Sequence, residues 1–424
     1  MRQIGPFMLI SVSVMLIANR GAMKVTPEDL GLSAARLVKI DLMTQQYIDE
    51  GKLPGTITLV SRRGKIAHFE CQGRMDIEAD KMVSEDTVFR IYSMTKPITS
   101  VALMMLYEDG HFQLDDPVSK FVPSFENMEV YISGNKDEYK TQPADRQISI
   151  RDLLTHTSGL TYGFMRTSVV DALYRDKGVE ESKTLGEMVN KLAELPLLFT
   201  PGSRWSYSVA TDVCGHLVEL ISGEPFDQFL HEQIFEPLGM IDTGFSVPEN
   251  KVHRFAANYE RTADNGLQLA DSPETSRYTQ DVTYFSGGSG LVSTARDYLR
   301  FAQMLLNKGE LEGERILGRK TVELMTSNHL PGNGDLTSMG QPVFSETPYD
   351  GIGFGLGFSV MLDPATANIL GTPGEFAWGG AASTYFWIDP EEELIAILLT
   401  QLMPSSSYPI RREFRVLAYQ SIVE

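Results

Sequence analysis

The sequence predicts an α/β fold: an antiparallel sheet flanked by helices, assembled from both ends of the chain around an inserted, mainly helical domain. Three observations predict it. Thr56 to Val60 and Lys65 to Phe69 are β-branched and aromatic runs joined by Arg62, Arg63 and Gly64, the composition of a hairpin. Near the other end, Thr384 to Ile388 and the apolar run Leu394 to Thr400 repeat that pattern around a turn at Asp389 to Glu392. Between roughly 90 and 280 the chain reads mainly as helices and polar loops such as Val122 to Arg146.

Each element follows in order. Residues 1–22, with Arg2 ahead of an apolar run from Ile4 to Ala18, admit two readings. As a signal peptide they send the protein to the periplasm or beyond; as a start-site artefact upstream of Met23 they leave it in the cytoplasm. Leu37, Ile40, Met43 and Tyr47 then fall on one helical face, with Ser33 placed to cap the helix and Gly51 to end it. The first hairpin follows, and a second helix runs through Ile98, Val101, Met105 and Leu106 to Gly110. After the C-terminal strands, a helix from Arg411 to Val423 closes the chain. The expected organisation is an α/β domain of residues 23–90 and 281–424, with 91–280 forming the helical domain and the active site at their junction.

Composition removes several function classes. A chain of 424 residues with 42% apolar and 22% charged content buries a core without staples. Its net charge of −19 repels phosphate backbones and anionic lipid, so neither nucleic acid nor stable membrane insertion of the mature domain is expected. The two cysteines, Cys71 and Cys214, lie far apart in apolar stretches and read as buried reduced thiols. The seven histidines show no metal-ligand spacing, and no cofactor is expected. Oligomeric state leaves no trace in the sequence.

The chemistry starts at Ser93-Met94-Thr95-Lys96, directly ahead of the second helix. Positions three apart share a helical face, so the Lys96 ammonium can approach the Ser93 hydroxyl, and free N–H groups at the helix start favour developing negative charge. The same spacing recurs at Ser133-Gly134-Asn135-Lys136, within a polar loop and with no helix behind it, where it reads as chance. No G-x-S-x-G nucleophile elbow occurs. His156 sits in His156-Thr157-Ser158-Gly159-Leu160, where a turn-forming role fits better than service to a nucleophile.

Further segments then join Ser93 and Lys96. They are Leu114-Asp115-Asp116-Pro117-Val118, Ile150 to Leu160, and Pro201-Gly202 followed by Trp205, Tyr207 and Ser208. Glu236-Pro237-Leu238-Gly239-Met240, Ser286-Gly287-Gly288-Ser289-Gly290-Leu291 with Ser293-Thr294-Ala295, and Trp378-Gly379-Gly380 complete the set. In order and spacing, over roughly 25–424, they resemble the serine β-lactamase and penicillin-binding-protein superfamily. Within it the chain is most similar to the family VIII carboxylesterases, which share the class C β-lactamase fold. Where β-lactamases carry Lys-Thr-Gly, this chain has Trp378-Gly379-Gly380, and where they carry Tyr-x-Asn it has Tyr207-Ser208-Val209.

The resemblance implies that Ser93 attacks an ester carbonyl and that Tyr207 and Lys96 share its proton. In that picture the lysine ammonium holds down the phenol pKa, and either group could be the base. It further implies an oxyanion site from the backbone N–H groups of Ser93 and, by analogy, Ala381, with Trp378, Gly379 and Gly380 binding substrate. The expected activity is hydrolysis of short-chain carboxylic esters through an acyl-enzyme. Two alternatives stay open: a β-lactamase or D-Ala-D-Ala peptidase-like hydrolase, with cephalosporins as a side activity, and a non-catalytic binding scaffold.

Overall fold

The computed structural model describes residues 25–340 and 349–424, so the segment with two readings, 1–22, lies outside the described residues. The hairpin forms as its sequence demands: β1 (Gly55–Arg62) passes through Arg63 and Gly64, both at positive φ, into β2 (Lys65–Asp76). A short β3 (Lys81–Met82) extends it. From the other end come β4 (Ile352–Phe354), β5 (Ser359–Met361), β6 (Phe376–Gly379), β7 (Tyr385–Asp389) and β8 (Leu394–Leu399). Together they make one antiparallel sheet of eight strands in the order β4-β5-β6-β7-β8-β1-β2-β3. The two chain ends join where β8 lies against β1, with Ile57 opposite Leu399 and Arg62 opposite Leu394.

Strand β8 shows why the run Leu394 to Leu399 has no polar alternation. Ile395, Ile397 and Leu399 point into the larger core, whereas Leu394, Ala396 and Leu398 point into a second, smaller one. A strand covered on both faces is apolar throughout. Six of the helices are α1 (Ala34–Asp49), α2 (Thr95–Glu108), α3 (Ile150–Leu154), α4 (Ala210–Ser222), α5 (Ala295–Leu306) and α6 (Ile410–Tyr419). The first and last pack together over the smaller core through Leu37, Ile40, Ile410, Phe414 and Ala418. On the opposite face α5 lies against β7 and β8, and α2 and α4 pack against one another within the larger core. Helix α2 is buried on nearly every side, including Thr95, Lys96, Thr99 and Ser100, so it is a core element that carries polar groups inward.

Four local expectations change. Ser33 occupies the N-cap of α1 but its hydroxyl makes no capping bond; instead the Glu28 carboxylate accepts the Ala34 N–H at 2.9 Å. The closing helix starts at Ile410 and stops at Tyr419, because Leu32 bridges Ile422 in extended pairing. Within 122–146 the expected loop contains a hairpin, Glu129–Gly134 against Tyr139–Pro143. It is anchored where the Tyr131 N–H donates to the Leu197 carbonyl, and its mostly exposed polar residues hid the strand period. Both cysteines are free thiols, but only Cys214 is buried; Cys71 is half-exposed on β2.

Candidate active site

Ser93 is presented by a constrained approach. Phe89 and Arg90 pair with Ser293 and Val292, and the Ile91 N–H donates to the Leu291 carbonyl at 3.1 Å. The chain then turns sharply through Tyr92, whose φ of 43° is a strained value for a bulky aromatic. Its phenol accepts a hydrogen bond from the Asn258 side-chain amide at 3.2 Å. Tyr92–Met94 forms one 3-10 turn leading into α2, so Ser93 sits at the helix entrance.

Three residues on, Lys96 is 1% exposed. Its Nζ donates to Ser93 Oγ at 3.2 Å and to the Gly288 carbonyl at 2.7 Å, and lies 4.4 Å from the centre of the Tyr207 ring. Burial pushes the ammonium from its ordinary 10.5 down to about 7, against an upward pull from the Asp212 carboxylate. Tyr207 is held just ahead of α4, where the Trp205 and Ser206 N–H groups donate to Met339 and His156 carbonyls at 2.8 and 2.9 Å. Its ring packs against Tyr162, His156 and Trp378 at centroid distances of 5.4, 5.0 and 5.5 Å.

The phenol differs from what the family resemblance implies. Burial drives its pKa upward, and the neighbouring Ser93 and Trp378 side chains oppose that rise only in part. Desolvation disfavours phenolate and ammonium alike, so this environment favours a neutral tyrosine and brings the lysine within reach of neutrality at pH 7.

Strand β6 supplies the facing wall. Trp378 and Gly379 stand opposite Phe386 and Tyr385 of β7, and Trp378, 7% exposed, meets Phe354 edge-on at 5.2 Å. At Gly380 a side chain would collide with Thr384 and with the Ile91 carbonyl, so glycine lets the strand end close on the segment that leads into Ser93. The Gly380 N–H donates to the Thr384 carbonyl at 2.9 Å, and the next peptide brings Ala381 onto the pocket wall. Ser93, Tyr207, Trp378, Gly379, Gly380 and Ala381 all line one cavity of about 530 Å³, with Lys96 packed behind Ser93.

Several lining residues escaped the sequence reading. Tyr162 and Phe164, stacked at 4.6 Å, form an aromatic side of the cavity with Tyr349 and Ile369. Arg411, Arg412 and Arg415 of α6 form another, and no acidic side chain lines this cavity among the described residues. Arg411 donates to the Gly380 carbonyl at 2.6 Å, and Arg415 pairs with Glu375 at 2.6 Å. Their signal was a cluster of three arginines on a helix read only as the end of the chain.

His156 is a buried turn residue at φ 56°, and its Nδ1 lies 3.2 Å from Ser208 Oγ. Burial, followed by the charge of Lys96, keeps the imidazole neutral well below its ordinary 6.5. Ser133 lies exposed on the hairpin opposite Lys140, and Lys136 pairs with Asp176 at 2.8 Å, so the second S-x-x-K match serves a surface hairpin. Among the described residues no three His, Cys, Asp or Glu side chains come together as a metal site requires.

Residues 40–420 match the family model described as Beta-lactamase. Protein Rv1367c of Mycobacterium tuberculosis is 36% identical over 86% of this chain and 89% of its own. Esterase EstB of Burkholderia gladioli is 32% identical over 89% of this chain and 94% of its own. Among solved structures, EstCE1, described as a hydrolase with promiscuous acyltransferase activity, superposes with a TM-score of 0.77. It is 29% identical and covers 91% of this chain and 99% of its own.

Proposed function

The chain belongs to the Beta-lactamase family, as a family VIII-type carboxylesterase of the class C β-lactamase and penicillin-binding-protein superfamily, and on that premise we propose that it hydrolyses short-chain carboxylic esters through an acyl-enzyme on Ser93. The observation that carries this reading is the contact of Lys96 Nζ with Ser93 Oγ at 3.2 Å, in surroundings that bring the lysine to about 7.

Neutral Lys96 takes the hydroxyl proton as Ser93 attacks the ester carbonyl, and the bond from Ser93 Oγ to carbon forms. The oxyanion is received by the N–H groups of Ser93 and Ala381. Tyr207, kept protonated by burial, donates to the departing alkoxide and is reprotonated from Lys96, whose Nζ lies over its ring. Water then attacks the acyl-enzyme, Lys96 accepts its proton, and Ser93 leaves with one returned. In this reading the two roles divide: lysine as base, tyrosine as acid.

A mostly apolar cavity of about 530 Å³, closed at Trp378, suits a short acyl group and a modest alcohol. The arginine wall favours a second reading, a side activity on carboxylate-bearing substrates such as cephalosporins, although Trp378 stands where β-lactamases use lysine. The test is parallel hydrolysis of p-nitrophenyl esters from acetate to palmitate and of a chromogenic cephalosporin by the parent, Ser93→Ala and Ser133→Ala. Turnover is expected to be highest on acetate or butyrate, lost in Ser93→Ala and unchanged in Ser133→Ala. A palmitate optimum would refute the chain-length reading, and an active Ser93→Ala protein would refute the mechanism.

A further inference from the structure

The segment Ser286-Gly287-Gly288-Ser289 forms a bracket against the helix that carries Lys96. Thr99 of α2 donates to the Gly287 carbonyl at 2.7 Å, Lys96 donates to the Gly288 carbonyl at 2.7 Å, and the Leu291 N–H donates to Thr95 at 3.1 Å. From the other side the bracket is held by one carboxylate. Asp212, in the first turn of α4 and 3% exposed, accepts from the Ser286 hydroxyl at 2.5 Å, the Gly288 N–H at 3.1 Å and the Tyr284 hydroxyl at 3.3 Å, all on Oδ1. Glycine is required here for space: a side chain at 287 would collide with the Thr211 carbonyl, and one at 288 with Asp212 and Tyr162.

We propose that Asp212 is a positioning residue for Lys96: its carboxylate fixes the bracket that aims the Gly288 carbonyl at the lysine and stands across Gly288 from the ammonium. The inference rests on the reading of Lys96 as the base for Ser93. Three hydrogen bonds on one buried carboxylate oxygen support it, because an immobile charge in a low-dielectric interior acts strongly on a neighbouring ammonium. Burial lowers the Lys96 pKa and Asp212 opposes that fall. The other titratable groups facing Lys96 are Tyr162, Tyr207 and His156, and burial favours the neutral form of each. Around Asp212 stand Tyr162, Tyr284, Cys214 and Glu180, and each of them is pushed upward by burial first and by the Asp212 charge in addition.

The test compares pH profiles of kcat/KM on p-nitrophenyl butyrate for the parent, Asp212→Asn, Ser286→Ala and Lys96→Ala. Asparagine can still accept from Ser286 and Gly288 but carries no charge, so the acid limb is expected to move about one unit to lower pH. Ser286→Ala removes a tie and keeps the charge, so kcat is expected to fall severalfold with the limb unmoved. An unmoved limb in folded Asp212→Asn, with Lys96→Ala inactive, would overturn the proposal and leave the lysine mechanism standing. An active Lys96→Ala would instead overturn the mechanism itself. Should Asp212→Asn fail to fold, Ser286→Ala decides: parent-like kcat overturns the bracket, and reduced kcat with unchanged KM supports it.

Discussion

If Lys96 must be neutral to accept the Ser93 proton, pH is the perturbation that reads the site directly. An exposed lysine at 10.5 would be almost wholly charged at neutral pH, whereas burial brings Lys96 to about 7. The free-amine fraction then rises from roughly a tenth at pH 6 to about nine-tenths at pH 8, so kcat/KM is expected to climb about tenfold between them and level off. No falling limb is expected below about pH 9.5, because burial moves the Tyr207 phenol upward and keeps the acid protonated. His156 contributes no limb in this range, since burial holds it neutral. The assay is initial-rate hydrolysis of p-nitrophenyl butyrate well below KM, followed where phenol and phenolate absorb equally and corrected for spontaneous hydrolysis. A profile flat from pH 5.5 to 9, or one still rising steeply above pH 9, would refute the assignment of a depressed lysine as the base.

Two further predictions follow from the same geometry. Lys96→Met should abolish turnover yet stabilise the fold, since an apolar chain of similar length removes a buried charge, a change of about 1 to 4 kcal/mol in comparable cases. The sign carries a pH signature: between about 7 and 10.5 the unfolded chain holds a proton on Lys96 that the folded protein has released, so the parent gains stability as pH rises through that window. The Tm advantage of Lys96→Met should therefore be largest near pH 6 and shrink toward pH 10; a lower Tm at pH 6 contradicts it. Trp378→Ala should cost about 3 to 5 kcal/mol in urea unfolding, because the indole is 7% exposed and packs on Tyr207 and Phe354. The same change should shift preference toward longer acyl chains, and an unchanged octanoate-to-acetate ratio would show that Trp378 does not bound the acyl pocket.

What the sequence disclosed was whatever local spacing encodes. β1, β2, β7 and β8 announced themselves because their residues are β-branched, aromatic or continuously apolar. β4 and β5 did not, being three residues each and pairing only with one another and with β6. Ser93 and Lys96 were legible because three residues along a helix bring side chains together. Tyr207 needed its surrounding motif, since nothing in its own segment points at a serine more than a hundred residues earlier. Asp212 and Gly288 were out of reach for the same reason: Gly288 lies 192 residues from the lysine it holds, and Ser286 lies 74 from Asp212. The burial of the phenol, which raises its pKa more than any neighbour lowers it, was not legible either, because a pairwise picture of charge omits desolvation.

Burial is also what ties the proposed catalysis to instability at this site. A lysine enclosed by Tyr162, Tyr207 and the glycine bracket is costly to charge, and Tyr92 holds a backbone conformation that its side chain disfavours. Neither feature helps the fold, and both lie within three residues of Ser93. They persist because the larger core holds α2 through Ile98, Val101, Leu103 and Leu106, while β6 is held from both faces, by Phe376 in the larger core and Ala377 in the smaller. On the proposed mechanism, the enclosure that makes Lys96 a poor ammonium makes it a base near pH 7, and the same enclosure makes Tyr207 a poor phenolate and hence a proton donor. One physical cause, exclusion of water from a single small volume, thus sets opposite roles on two groups whose ordinary pKa values are nearly equal. It follows that any substitution admitting water behind Ser93 should erode both roles at once, lifting the lysine and lowering the phenol, even where no catalytic atom has been touched.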